Sequence, residues 1–416
     1  MTNKLPQGWV ECKLGDIVEY KKGKKPKVLQ AEYSEGLLPY VDIKCFEKNI
    51  IENYTNSDDG VLIDHKNILV VWDGARAGFC GSYNNRGILG STIMALSPLL
   101  VNKKLIEYFI QSKFQILNKQ TKGTGIPHVK PDLFWNFLFK LPPLNEQKRI
   151  VEKIEEEFGK IDEGVEKLKL AQEQIKQYRQ SVLKSAFDGK LYKTTEWEEK
   201  MFSQVLDVNP KTDIPDIKDD DLISFLPMPA VQAEINIYNE DFVKYSKVKK
   251  GYTKFKNRDV LFAKITPCME NGKSCVVDNL KFGIGFGSTE FHILRSLGSI
   301  LPEIVFYYVV QESFRKRAQN VMTGAVGQRR VPADYLKNIS INLPTIDEQK
   351  QIVKEIEKRF KVADEVERVI AENLEKAEQL KQSILKKAFE GRLVPQDPTD
   401  EPASILLDKI KHESEK

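Results

Sequence analysis

Histidine and cysteine are scarce in this sequence, with 4 of the first and 5 of the second among 416 residues. His65, His128, His292 and His412 show no HExxH spacing, and Cys12, Cys45, Cys80, Cys268 and Cys275 form no CxxC pair. That argues against a zinc ribbon, a metalloprotease centre or a disulfide frame, so no metal site is expected and the thiols are read as reduced. No stretch approaches the apolar length of a membrane span, and the opening MTNKLPQGWV lacks a signal-peptide core. The expectation is a cytoplasmic chain with no membrane partner.

Catalytic signatures are equally thin. Gly283-Ile284-Gly285-Phe286-Gly287 resembles a cofactor loop, but a phosphate cradle needs a helix N-terminus after it, and Thr289 to Leu294 alternates like a strand. A β-turn is the expected reading. Asn271-Gly272-Lys273-Ser274 ends like a P-loop, yet position 267, where the upstream glycine belongs, is proline. The Asn/Asp-Pro-Pro-aromatic quartet of exocyclic-amine methylation is missing, and Glu198-Glu199-Lys200 is the kind of triplet that 60 acidic residues produce by chance. No nucleophile and base can be matched. A non-catalytic chain is expected, with no cofactor of its own.

What the chain does have is a duplication. Leu141–Leu191 aligns without a gap on Leu343–Leu393, at a constant offset of 202 residues and with about 22 identities. Each copy reads as one long helix, with Asn145 and Asp347 as N-cap candidates and Gly189 and Gly391 placed for a left-handed stop. Ile154, Ile161, Leu168, Ile175 and Val182 recur every seven residues, as do Ile356, Ala363, Ile370, Ala377 and Ile384. Such a seam predicts a coiled coil, antiparallel because a whole domain intervenes. Its companion row mixes Phe158, Val165 and Ala186 with Gln172 and Arg179, and is expected to be partly solvated.

The predicted organisation is α+β: two similar mixed α/β domains at 1–144 and 193–342, spacer helices at 145–192 and 343–394, and a tail at 395–416. Helices are expected around Lys104–Asn118 and Pro302–Asn320. Short matches link the blocks, among them Trp9 with Trp197 and Gly90-Ser91-Thr92 with Gly287-Ser288-Thr289. The net charge of +4 divides into +5 and +2 on the two blocks, zero on each helix and −3 on the tail. Basic residues, with Thr124 and Gln328 among them, gather at turns: Lys22, Lys24 and Lys25; Arg76; Lys122, Thr124, His128 and Lys130; Lys249, Lys250 and Lys264; Gln328, Arg329 and Arg330. Lysine neutralises phosphates, while arginine and glutamine can bond base edges, so these are the candidate DNA contacts.

The motif Leu-Pro-x-hydrophobic-x-Glu-Gln-Lys-x-Ile-Val at 141–151 and 343–353 resembles that of the specificity subunits of type I restriction-modification systems. So do the helix ends at Ala186–Leu191 and Ala388–Leu393 and the tail from Leu393 to Ala403. The resemblance implies two target-recognition domains, each reading half of a bipartite asymmetric site on double-stranded DNA, with the helices setting the spacing. It implies two methyltransferase subunits as partners, docked at the helices through Glu146, Gln147, Glu348 and Gln349. It also implies restriction subunits, with S-adenosylmethionine, ATP and magnesium all on partner chains. The tail is expected to fold back through Ile405, Leu406 and Ile410. Two other readings stand beside this one, a DNA-modifying enzyme acting alone through a cryptic site and a scaffold that never touches DNA.

Overall fold

A computed structural model describes residues 5–56, 58, 60–120, 127–192 and 196–414. The chain forms two compact units, 1–168 with 372–416 and 169–371.

Among its described residues, unit 1 holds three small sheets. Val10–Lys13 pairs antiparallel with Leu138–Leu141. A second sheet runs Val18–Lys22, Ile93–Pro98, Ile68–Val71, Cys80–Ser82, all antiparallel. The third runs Tyr54–Thr55, Leu38–Val41, Gly87–Leu89, Leu62–Ile63, with a parallel pair at its centre. Unit 2 repeats the topology: Glu198–Met201 with Ser340–Leu343; then Leu206–Val208, Phe291–Ser296, Val260–Ala263, Ser274–Val276; then Asp241–Lys244, Leu222–Leu226, Ile284–Gly287, Thr253–Lys256, again with a central parallel pair. The blocks are one fold, as their short sequence matches suggested.

The expected turn at Gly283–Gly287 is a strand from Ile284 onward. Its glycines serve packing: a Cβ at Gly285 would lie 2.3 Å from the Phe255 ring, and one at Gly287 would lie 2.5 Å from the Leu226 carbonyl oxygen. Lys103–Lys119 is a single helix as expected, whereas 302–320 is two, Pro302–Val309 and Glu312–Asn320. The Gln180 side chain accepts the Glu312 N–H at the start of the second.

Each long helix has 44 residues, Leu144–Phe187 and Ile346–Phe389. Both start one residue before the expected caps, and Thr345 caps the second by exchanging hydrogen bonds with Glu348. They end as expected in left-handed glycines, Gly189 at φ 71° and Gly391 at φ 69°. The glycines are required for a second reason, since a Cβ would meet Trp197 at the first and Pro6 and Trp9 at the second.

In unit 1 the start of the first helix meets the end of the second. Ile154, Ile384, Leu385 and Ala388 share one core, and Lys381 pairs with Asp162 at 2.5 Å while lying over Phe158. In unit 2 the end of the first helix meets the start of the second, through Val182, Ala186, Ile352 and Ile356. The pairing is therefore antiparallel. Ile154, Ile175, Val182, Ile356, Ala363, Ile370 and Ile384 are buried and Ile161, Leu168 and Ala377 half-buried, so the seam is where the seven-residue period puts it. The companion row departs from expectation at Arg179, which is buried, pairs with Asp364 and Glu367 at 2.5 and 2.9 Å, and lies over Phe360. At an offset of 202 residues this is the Lys381–Asp162–Phe158 arrangement with the helices exchanged.

Three residues of the duplicated Glu-Gln pair, Glu146, Gln147 and Gln349, are buried inside their own units, which corrects the assignment of these three to a partner-binding surface. Gln147 is buried; its carbonyl accepts the Asn102 N–H and its amide donates to the Pro142 carbonyl, both at 2.9 Å. Gln349 does the same with Leu301 at 2.9 Å and Pro344 at 3.0 Å. Each glutamine thus ties the first turn of a long helix to the N-cap of another helix. Glu146 is also buried and accepts from Trp9 Nε1 at 2.9 Å, and burial raises its carboxyl above the usual range. Glu348 is half-buried at the Thr345 cap. Gln147→Ala or Gln349→Ala is expected to cost about 1–3 kcal/mol of its own unit's stability, because each strands a backbone N–H and a carbonyl. Denaturant titration reads this, and an unchanged midpoint would refute the clamp.

The tail folds back onto unit 1. The helix Ala403–Ser414 places Ala403, Leu406, Leu407 and Ile410 in that unit's core, while Ile405, expected on this face, is exposed. Arg149 bonds Asp400 at 2.7 Å, and the Ala403 N–H donates to the Gly8 carbonyl at 2.8 Å.

Candidate nucleic-acid interface

In unit 2 the two four-stranded sheets frame an open cleft of about 540 Å³, lined by Asn209, Lys211, Tyr252, Lys254, Lys264 and Phe291 among others. The cations come from three elements: the loop after Leu206–Val208, the strand Thr253–Lys256, and the end of Val260–Ala263. Partial burial lowers the Lys264 ammonium below the usual lysine value, with Arg330 adding to the effect.

A hairpin is tied to this rim. Thr323 and Arg330 exchange backbone hydrogen bonds at 3.0 and 2.8 Å, the Thr266 N–H donates to the Arg329 carbonyl, and the Val331 N–H to that of Lys264. Arg330 is expected above as a DNA contact, but its guanidinium is already engaged. Nε and Nη2 each donate to Glu290 at 2.8 Å and Nη1 to the Gln328 carbonyl at 3.0 Å. The bond from Arg330 holds the Glu290 carboxyl below the usual range. Gln328 is exposed and Arg329 half-exposed beside it. Lys249 pairs with Asp219 at 2.8 Å and Lys244 with Asp220 at 2.7 Å, so aspartates at 219 and 220 offset that cluster, and neither Lys249 nor the exposed Lys250 lines the cleft.

His292 sits behind the hairpin. Its Nε2 lies 2.8 Å from the Val331 carbonyl and must donate there, which leaves Nδ1 to accept from the Asn209 amide at 2.9 Å. Burial lowers its pKa below the ordinary 6.5. The unfolded chain therefore binds the proton more readily, and unit 2 should lose stability as pH falls from about 6.5 through the lower folded value, with no further loss from this group beneath it. Thermal melts across that range should show the drop, and His292→Asn should flatten it; a slope the variant leaves intact would refute the assignment.

Unit 1 places two of its predicted residues, Lys22 and His128, at the corresponding strand end. Asp73 follows Ile68–Val71 and bridges His128, as Ile265 follows Val260–Ala263 and bridges Arg330. Asp73 bonds His128 Nδ1 at 2.6 Å and pairs with Lys22 at 3.1 Å. Beside them Tyr20, itself 56% exposed, stacks on Trp135 at 4.3 Å, and Trp135 on Trp72 at 5.8 Å. Lys24 and Lys25 are exposed, and Lys130 precedes the short helix Pro131–Trp135. Arg76 lies 3.6 Å from Glu47 and over the Phe79 ring. Lys122 and Thr124 lie outside the described residues.

Lys211 and Asn209 are not legible in the sequence because Lys211 stands more than 40 residues from Lys254 and only the facing of two separate sheets unites them. Among the described residues no group of three His, Cys, Asp or Glu could hold a metal ion, and no helix is long and apolar enough to cross a membrane.

Comparison with known proteins bears on both units. The family described as type I restriction modification DNA specificity domain matches residues 6–172 and 195–376. The type I restriction enzyme EcoAI specificity subunit of Escherichia coli is 34% identical over 260 residues, 52% of this chain and 44% of that protein. The EcoEI specificity subunit of the same species is 32% identical over 60% of this chain and 49% of its own. The chain thus spans about half the length of these relatives. The MjaVIII specificity subunit of Methanocaldococcus jannaschii is 27% identical, with 94% of each chain covered. A solved structure from work on complex assembly and conformational transition of the type I R-M system superposes with a TM-score of 0.69, at 19% identity, over 94% of this chain and 99% of its own, a likeness of fold.

Proposed function

Because this chain belongs to the type I restriction modification DNA specificity family, matched across both of its repeats, we propose that it is the non-catalytic, sequence-reading subunit of a type I restriction-modification complex. Each unit reads one half of a bipartite asymmetric site on double-stranded DNA, and the long helices set the number of unread base pairs between the halves. Two methyltransferase subunits and the restriction subunits bind it in the cytoplasm, and S-adenosylmethionine, ATP and magnesium act on those partners. The observation that carries this reading is the repetition of one fold, each copy fastening a polar loop to the same strand end beside exposed cations. Two copies of a reader with diverged loops suit a target with two unlike halves.

The test is co-expression with the cognate methyltransferase subunit, followed by mapping of methylated adenines. The expected result is a bipartite motif, of which replacing the first globular block changes one half and leaves the other. Inserting one heptad into each long helix adds about 10 Å of helix, and should lengthen the unread spacer by about three base pairs. Methylation or cleavage by the purified chain alone would favour an enzyme acting by itself. A complex with no salt-dependent affinity for duplex DNA would leave only a scaffold.

A further inference from the structure

Val326, at the tip of the Thr323–Arg330 hairpin, is 101% exposed, the highest value among the large hydrophobic side chains of the described residues. Isolated apolar residues on a surface are ordinary; this one is set apart by how it is held. Both limbs of the hairpin are fastened to the Lys264–Thr266 segment or to each other, and the Gln328 N–H donates to the Ala325 carbonyl across the tip. Gly324 and Gly327 take φ 121° and 79°, and a Cβ at Gly324 would stand 3.0 Å from the Gln328 carbonyl oxygen. Glu290 grips the returning limb through two hydrogen bonds from Arg330. The result is a braced projection with one branched apolar side chain at its tip and small residues on either side.

Resting on the reading that unit 2 contacts duplex DNA, we infer that Val326 recognises the 5-methyl group of a thymine, with the Glu290–Arg330 pair as the positioning device behind it. A phosphate offers nothing to an isopropyl group. The thymine methyl is the apolar feature a base presents in the major groove, and an amide and a guanidinium are the groups that bond purine edges there. Gln328 and Arg329 flank the tip, and among the described residues their side chains make no hydrogen bond or ion pair. A protein partner is a poorer fit, because interface anchors are enriched in Trp, Tyr and Arg while valine is under-represented.

The experiment uses the complex with its methyltransferase subunit, after the motif is mapped and exchange of the second globular block has assigned one half-site to unit 2. Each thymine of that half-site is replaced in turn by deoxyuridine, which lacks only the methyl group. The wild-type complex is expected to bind one such duplex roughly three- to tenfold more weakly. Val326→Ala should bind the thymine and deoxyuridine duplexes alike and keep its affinity for unrelated DNA. Glu290→Gln should blunt discrimination at that same position, and a Glu290→Asp variant should recover part of it. The inference is overturned if the wild type is indifferent to every replacement, if Val326→Ala weakens all duplexes equally, or if the half-site holds no A·T pair. Absence of any specific binding by the wild-type complex would instead overturn the reading on which it rests.

Discussion

Truncation before Pro395 is expected to unfold unit 1 while leaving unit 2 folded. The missing segment carries Leu406, Leu407 and Ile410, all buried in the unit 1 core. At about 1.5–3 kcal/mol for each fully buried side chain, their removal costs about 5–9 kcal/mol. The loss of the Arg149–Asp400 and Gly8–Ala403 bonds adds to this. Domains are stable by about 5–15 kcal/mol in total, so the deficit is of the same size as the whole. Thermal or denaturant unfolding of the truncated chain should retain one cooperative transition and lose another, with new binding of a hydrophobic dye. A paired comparison separates burial from length: Ile410→Asp should reproduce much of the loss, whereas Ile405→Asp, on the exposed face of the same helix, should stay within about 0.5 kcal/mol. Two unchanged transitions after truncation would show that the tail is an ornament.

The second large effect is an asymmetry at Arg179. Its side chain is 8% exposed, whereas Asp364 and Glu367 are 63% and 41% exposed. Burial opposes the charge on Arg179, yet the hydrogen bonds it donates to the two carboxylates hold its pKa above the usual arginine value. Removing both acids, in Asp364→Ala with Glu367→Ala, leaves a guanidinium buried without a counter-charge and should destabilise unit 2 by about 3–5 kcal/mol. Arg179→Leu leaves only carboxylates that face water and an aliphatic group against Phe360, and should cost less than about 1.5 kcal/mol. Denaturant midpoints of the two variants decide it. Equal losses would mean that the ion pair acts as an ordinary surface contact.

That arginine also marks where sequence reading stops. Helix length and seam position follow from a seven-residue period held from Ile154 to Val182 and from Ile356 to Ile384 and from two glycines at the ends, all local signals, and antiparallel pairing follows from the domain that separates the two copies. Arg179 occupies a companion position in that period, where a cation reads as solvated. Its burial depends on Phe360, Asp364 and Glu367, some 180 residues away. The Glu-Gln motif was visible as a repeat, but not that Gln147 and Gln349 face backbone groups of their own unit, because a repeated polar pair looks the same on a surface as in a clamp. The interface divides similarly. Clusters contiguous in sequence, such as Gln328 to Arg330, are legible as clusters, while Lys211 meets Lys254 only because two separate sheets face each other across the cleft. Opposing charges are equally illegible in the sequence, since Glu290 and Asp219 stand 40 and 30 residues along the chain from Arg330 and Lys249 and meet them only in the fold.

The interleaving of the two units imposes an order on synthesis. Unit 2 is a single stretch, 169–371, and all of its strands and its share of both helices have emerged from the ribosome before any of the closing segment has. Unit 1 begins first and finishes last, because its core lacks Leu406, Leu407 and Ile410 until translation nears residue 410. At about 5–20 residues per second, the half-built first unit waits roughly 10–50 s while the second is made. During that interval its apolar surface is open to chaperones or to a neighbouring nascent chain, so the unit begun before the second depends on codons translated after the second is complete.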